Sequence, residues 1–220
     1  MTRNARRRSL LCEYASVHCY STSWLIEIDL NTGIGNPITQ FGSLDVRGLA
    51  FSADDELLAI SNPNLPIYEL FKLDVQTGQH TLVGSSGSSP IQGLDFASNG
   101  TLYGWDLEDG LVIIDSNTRE ITDVNASVGA DADIQSIVFM DDDRLFGGRD
   151  ALYEIDVTTG ETTFVGRGDY SDLRGLTTTA AADESLEAQT ALLGIAYDGS
   201  IFRLEEDGSG VLHSNSGLWC

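Results

Sequence analysis

Lysine is almost missing from this chain: Lys72 is the only one among 220 residues, and the other eleven positive charges are arginine. Four of those arginines, Arg3, Arg6, Arg7 and Arg8, fall in the first eight residues, against 34 Asp plus Glu and a net charge of -22 overall. This acid excess argues against nucleic acid or an anionic membrane as the main partner, because both are polyanions. A carboxylate-rich, lysine-poor surface fits adaptation to high salt, where screening removes self-repulsion. It equally fits an arginine-favouring genome with an acidic soluble surface.

Cysteine is scarce and odd in number. Cys12, Cys19 and Cys220 form no CxxC pair, which argues against a zinc site and a dense disulfide framework. No apolar run approaches the roughly 20 residues of a membrane helix. The start, with Arg7-Arg8-Ser9-Leu10-Leu11-Cys12, looks superficially like an export signal. Glu13 and His18 interrupt the apolar segment such a signal needs. Residues 1–9 therefore read as a basic arm. The chain reads as non-exported, cytoplasmic by default, and monomeric. No phosphate-binding loop and no glycine-rich turn opening a helix is present. His18, His80 and His213 occupy non-equivalent positions, which denies them a shared Ser-His-Asp arrangement.

A hydrophobic fraction of 41% with 21% charged residues suits a folded domain of this length. Internal repetition decides its architecture. One segment recurs as Glu27-Ile-Asp-Leu-Asn-Thr-Gly33, Lys72-Leu-Asp-Val-Gln-Thr-Gly78, Ile113-Ile-Asp-Ser-Asn-Thr-Arg119 and Glu154-Ile-Asp-Val-Thr-Thr-Gly160. The aspartates, Asp29, Asp74, Asp115 and Asp156, stand 45, 41 and 41 residues apart, and a degenerate copy follows with Glu205. Each copy reads as a half-buried strand and a tight turn, in which the carboxylate accepts backbone N–H groups and glycine takes positive φ. A further strand follows, over 36–42, 79–84, 120–125, 161–166 and 210–215.

Ahead of each hairpin lies another strand pair. Its first member reads Arg47-Gly-Leu-Ala-Phe51, Gln92-Gly-Leu-Asp-Phe96, Gln135-Ser-Ile-Val-Phe139 and Arg174-Gly-Leu-Thr-Thr178. Four short strands per ~40–45 residues predict a β-propeller. The terminal Ser216-Gly-Leu-Trp-Cys220 fits the innermost-strand slot. The expectation is an all-β, single five-bladed propeller over 10–220, the C-terminal strand completing the N-terminal blade. An incomplete, six-bladed or seven-bladed ring is the alternative. Residues 179–190 read as a loop insertion carrying a helical turn or two.

The segment Leu152-Tyr-Glu-Ile-Asp-Val-Thr-Thr-Gly-Glu-Thr-Thr-Phe-Val-Gly166 resembles the repeat of uncharacterised bacterial and archaeal propellers similar to YVTN-type, NHL-like and quinoprotein-like families. The resemblance implies the fold. It implies no single function, because such propellers serve as lectins, lyases, oxidoreductases and scaffolds.

Equivalent positions in the repeats converge on one mouth of the central channel. The residue before the Gly or Ser is Arg47, Gln92, Gln135, Arg174 and Ser216; two positions earlier stand Asp45, Pro90, Asp133, Asp172 and Ser214. Three readings stay open. The polar groups could satisfy one another and channel water. Arg47, Gln92, Gln135 and Arg174 could bind a small polar or anionic ligand, or a protein partner, without catalysis. Asp45, Asp133 and Asp172 could serve as paired carboxylates of a carbohydrate-active or lyase-type enzyme. No cofactor is expected, although a Ca²⁺ ion would use the same three aspartates. Asp141-Asp142-Asp143 and the repeated hairpin aspartates read as turn chemistry rather than as sites.

Overall fold

The computed structural model describes residues 10–17, 20–28, 35–41, 44–64, 67–75, 77–87, 90–179, 191–196, 200–205 and 207–215. They form nineteen strands. The N-terminal sheet holds β1 (Leu10–Val17), β2 (Tyr20–Ile28) and β3 (Gly35–Gln40). The first four-stranded blade holds β4 (Val46–Phe51), β5 (Leu57–Asn64), β6 (Ile67–Leu73) and β7 (His80–Gly87). The second holds β8 (Ile91–Phe96), β9 (Leu102–Asp106), β10 (Gly110–Ile114) and β11 (Ile121–Asp123). The third holds β12 (Ser136–Phe139), β13 (Leu145–Gly148), β14 (Leu152–Ile155) and β15 (Thr162–Gly166). The fourth holds β16 (Leu173–Thr179), β17 (Ala191–Ala196), β18 (Ser200–Leu204) and β19 (Gly210–Asn215). Every sheet is an antiparallel meander in chain order.

The chain is an all-β propeller, but the five-bladed count is corrected. The described residues form four blades of four strands and an N-terminal sheet of three. The expectation had credited that sheet with a fourth strand from 216–220, and these residues lie outside the described ones. So do the arm over 1–9, the excursion over 180–190, His18, Cys19, Cys220 and Ser216.

Period-2 alternation explains how the sheets stack. Successive side chains of a strand point to opposite faces, so a strand between two neighbours must be apolar on both. In β5, Leu57 and Ala59 pack toward Leu25 of β2 and Phe41 just after β3, while Leu58 and Ile60 pack toward Ile91 and Leu94 of the second blade. A separate cluster around Trp105, Ile134 and Ile137 joins the second and third blades, and one around Phe146, Tyr170 and Phe202 joins the third and fourth. Ile26 and Trp24 of β2 meet Ile195 and Ile201, so the N-terminal sheet also packs on the fourth blade. Trp24 and Trp105 are thus packed between sheets.

The turns follow the repeat. Asp74 Oδ1 accepts the Thr77 N–H, Asp115 Oδ1 those of Asn117 and Thr118, and Asp156 Oδ1 those of Thr158 and Thr159. Asp29, the first of the series, lies outside the described residues. The chain then passes through positive φ at Gly78, Arg119 and Gly160. Arg119 accepts this conformation where the other copies use glycine, and its guanidinium donates to the Val83 carbonyl of the preceding blade at 2.9 Å. The acidic run 141–143 is likewise a turn: Asp143 has positive φ and accepts the Ser98 N–H and hydroxyl, and Asp142 pairs with Arg144.

Candidate functional site

The strands β4, β8, β12 and β16 stand beside one another in succession and form the inner wall. Three of them carry the same irregularity. In β4, Val46 pairs with Ser61 and Gly48 with Ile60, which leaves Arg47 as an extra residue. In β8, Ile91 pairs with Asp106 and Gly93 with Trp105, leaving Gln92. In β16, Leu173 pairs with Ala196 and Gly175 with Ile195, leaving Arg174. In β12, Ser136 pairs with Gly148 while the Gln135 N–H also donates to the Gly148 carbonyl at 3.1 Å. The shifts in β4, β8 and β16 are β-bulges, which re-aim the side chain of the extra residue. Three of the four positions singled out from the repeat, Arg47, Gln92 and Arg174, are therefore bulged residues, and Gln135 stands just ahead of β12.

The residue after each bulge explains the recurring glycine. A Cβ built on Gly93 would lie 2.7 Å from the Ile137 nitrogen and 2.9 Å from the Ser136 Cα of the next inner strand. At Gly48 it would lie 3.0 Å from the Leu94 nitrogen. Glycine lets neighbouring inner strands approach backbone to backbone. The third blade has Ser136 instead, and its hydroxyl accepts the Leu176 N–H at 2.9 Å.

Side chains at the mouth fall into two groups. Arg149 donates from Nη1 to Asp133 Oδ2 at 2.8 Å and from Nε to Asp172 Oδ1 at 3.0 Å. Arg174 donates from Nη2 to the same Asp172 carboxylate at 2.9 Å and from Nη1 to Gln135 Oε1 at 3.3 Å. Asp172 is thus clasped by two guanidinium groups. Its backbone is held in the left-handed region at φ 52°, with its N–H donated to Asp150 Oδ1 at 2.7 Å. Burial alone would push its carboxyl up, but Arg174 and Arg149 outweigh burial and hold it below the usual carboxylate range. Burial would likewise lower Arg149, and its two carboxylate partners overcome this and raise it. The second group is Asp45 with Arg47, joined at 2.6 Å. Gln92 is buried on the next inner strand, 5% exposed.

The structure therefore brings Asp133, Asp172, Gln135 and Arg174 into one network and keeps Asp45 with Arg47 on another blade. The three aspartates considered as a cation cradle do not share a centre: Arg149 stands between Asp133 and Asp172. Among the described residues no group of three or more His, Cys, Asp or Glu is placed to hold a metal ion. The sequence comparison missed Arg149. It follows the second strand of its blade, where the other copies carry Ser61, Asp106 and Ala196. That position is polar in three of four blades, and following it around the ring exposes Arg149.

No family model and no curated sequence matches the chain. Solved structures match it across nearly its whole length. It is similar to a chain of a nidogen/laminin complex, with TM-score 0.60, 14% identity, and coverage of 94% of this chain and 78% of that one. Virginiamycin B lyase from Staphylococcus aureus matches with TM-score 0.51 and 15% identity over 92% and 69% of the two chains. A protein of unknown function from Bacteroides thetaiotaomicron matches with TM-score 0.57 and 12% identity, and this chain spans 57% of its length. The fold is that of a β-propeller. At these identities the likeness carries the fold and no activity. No helix among the described residues is long and apolar enough to cross a membrane.

Proposed function

We propose that the chain is a non-catalytic binding module that holds a small polar ligand, anionic or polyhydroxylated, at the channel mouth. One observation carries this reading: Asp172 is clasped between Arg149 and Arg174, and its carboxyl is held below the usual range. A carboxylate pair working as acid and base needs its members pushed apart, with one proton held near the working pH. Two guanidinium groups on one carboxylate work against that, and they fix donors in a planar, preorganised array suited to recognition. In the matched structures, one chain takes part in a nidogen/laminin assembly and another is a lyase. The Arg–Asp clasp favours the first kind of use over the second.

Titration calorimetry with citrate, galacturonate, inorganic phosphate and myo-inositol tests the reading. At least one of these is expected to bind, and Arg47→Ala with Arg174→Ala is expected to weaken it at least tenfold. Both ion pairs are part-exposed, so stability should change by only about 1 kcal/mol per pair. Binding that survives the double substitution, or no binding at all, would sink the proposal. A collapse of folding on removing the two guanidinium groups would instead make the network structural.

A further inference from the structure

Asp133 and Asp172 hold Arg149 in different ways. Asp172 is part-buried, its side chain 29% exposed, and it has Arg174 as a second partner. The Asp133 side chain is 60% exposed, and its one hydrogen bond among the described residues comes from Arg149 Nη1. Asp133 belongs to the segment between β11 and β12, where the neighbouring Ile134 is fully buried and anchors the backbone. The Asp133 side chain can therefore turn away without unpacking the core. A pair this exposed contributes little to stability and exchanges readily.

The donors of Arg149 are not used up. A guanidinium offers five N–H groups. Arg149 commits one from Nε and one from Nη1, and Nη2 bonds to none of the described residues. Nor does Nη2 belong to the buried unpartnered atoms, so it faces solvent. The end of the fork formed by Nη1 and Nη2 is thus half occupied. A carboxylate in line with both nitrogens makes two parallel hydrogen bonds where Asp133 makes one.

We propose that Asp133 is a tethered cap on Arg149, standing in for the carboxylate of a ligand that displaces it and binds across Nη1 and Nη2. This rests on the reading of the mouth as a binding site and names its ligand class and its regulation. Charge selects the ligand. Arg149 and Arg174 balance Asp133 and Asp172, and a monocarboxylate taking the place of Asp133 keeps that balance. A neutral polyol would leave one guanidinium uncompensated, and an ammonium group would meet both. A phosphate dianion would bring a second charge beside Asp172 and the Asp150 that accepts its N–H. Asp172 stays on Nε and keeps the guanidinium plane oriented during the exchange. The cap sets the affinity: if it is closed in about nine molecules of ten, a ligand binds about tenfold more weakly than to an uncapped Arg149.

Titration calorimetry with galacturonate, gluconate and lactate tests this, with methyl galactoside and inorganic phosphate as contrasts. At least one carboxylate should bind more tightly than either contrast. Asp133→Asn removes the charge, keeps the shape and changes an exposed side chain, so the variant folds; it should tighten the carboxylate about tenfold. Asp131→Asn removes a charge from the same segment, but Asp131 accepts the Thr162 N–H and does not cap Arg149. It should change the affinity by no more than about twofold, as a screened surface charge does. Arg149→Lys keeps the positive charge without the fork and should weaken binding about tenfold or more. Unchanged or weaker binding in Asp133→Asn overturns the cap. Equal tightening in Asp133→Asn and Asp131→Asn does the same, because the gain then belongs to net charge. If phosphate or methyl galactoside binds as tightly as every carboxylate, and Arg47→Ala with Arg174→Ala weakens it, the binding reading stands and the capped carboxylate site falls. Absence of all binding removes both.

Discussion

Gly93→Ala is expected to destabilise the propeller by about 3 kcal/mol, the upper end of what overpacking usually costs. The added methyl would lie 2.7 Å from the Ile137 nitrogen, 2.9 Å from the Ser136 Cα and 3.0 Å from the Ser136 carbonyl carbon. All three are backbone atoms, so no side chain can swing away. The second and third blades would have to separate, loosening the cluster around Trp105, Ile134 and Ile137. For a chain of this size the loss corresponds to a fall in Tm of about 6–12 °C. Gly48→Ala should cost less, since its nearest backbone contact is 3.0 Å. Chemical denaturation measures both. A Gly93→Ala loss below about 1 kcal/mol would mean that the inner strands are not packed this closely.

Arg149→Ala is the second large effect. It removes the group that joins Asp133 to Asp172 and one of two partners of a carboxylate fixed in a left-handed backbone. The side chains of Arg149 and Asp172 are 32% and 29% exposed, between the surface and buried regimes. A loss of about 1–2 kcal/mol at neutral pH is expected. The loss depends on pH in a definite direction. Asp172 has a lowered folded-state value, so its contribution is fully present above the unfolded value of about 4. It fades as pH falls through the folded-state value below that. The Arg149→Ala and wild-type stability curves should therefore converge in acid. A difference that stays constant across that range would assign the loss to packing rather than to charge.

The sequence carried the blades because each strand type has its own periodic signature. The hairpin aspartates Asp74, Asp115 and Asp156 make the same backbone bonds in three copies, and repetition of chemistry signals repetition of structure. The mouth was partly legible for the same reason: Arg47, Gln92, Gln135 and Arg174 hold one slot, and three of them prove to share one bulge. Arg149 was not legible. It acts as a single member of the network, set by the two carboxylates, Asp133 and Asp172, that lie beside it. Asp45, Asp133 and Asp172 look alike in sequence but differ in surroundings, one pairing locally with Arg47 and two sharing Arg149. Blade count failed differently. It rested on assigning 216–220 to a sheet at the far end of the chain, a non-local pairing that no local pattern specifies.

The most direct test of the clasped mouth is the side-chain carboxyl titration of Asp172, followed by ¹³C NMR in the wild type and in Arg149→Ala. The wild-type carboxyl should titrate below the ordinary aspartate value and move upward in the variant. A wild-type carboxyl titrating above that ordinary value would contradict the account, because the guanidinium groups would then not govern it and acid–base chemistry at the mouth would regain its footing.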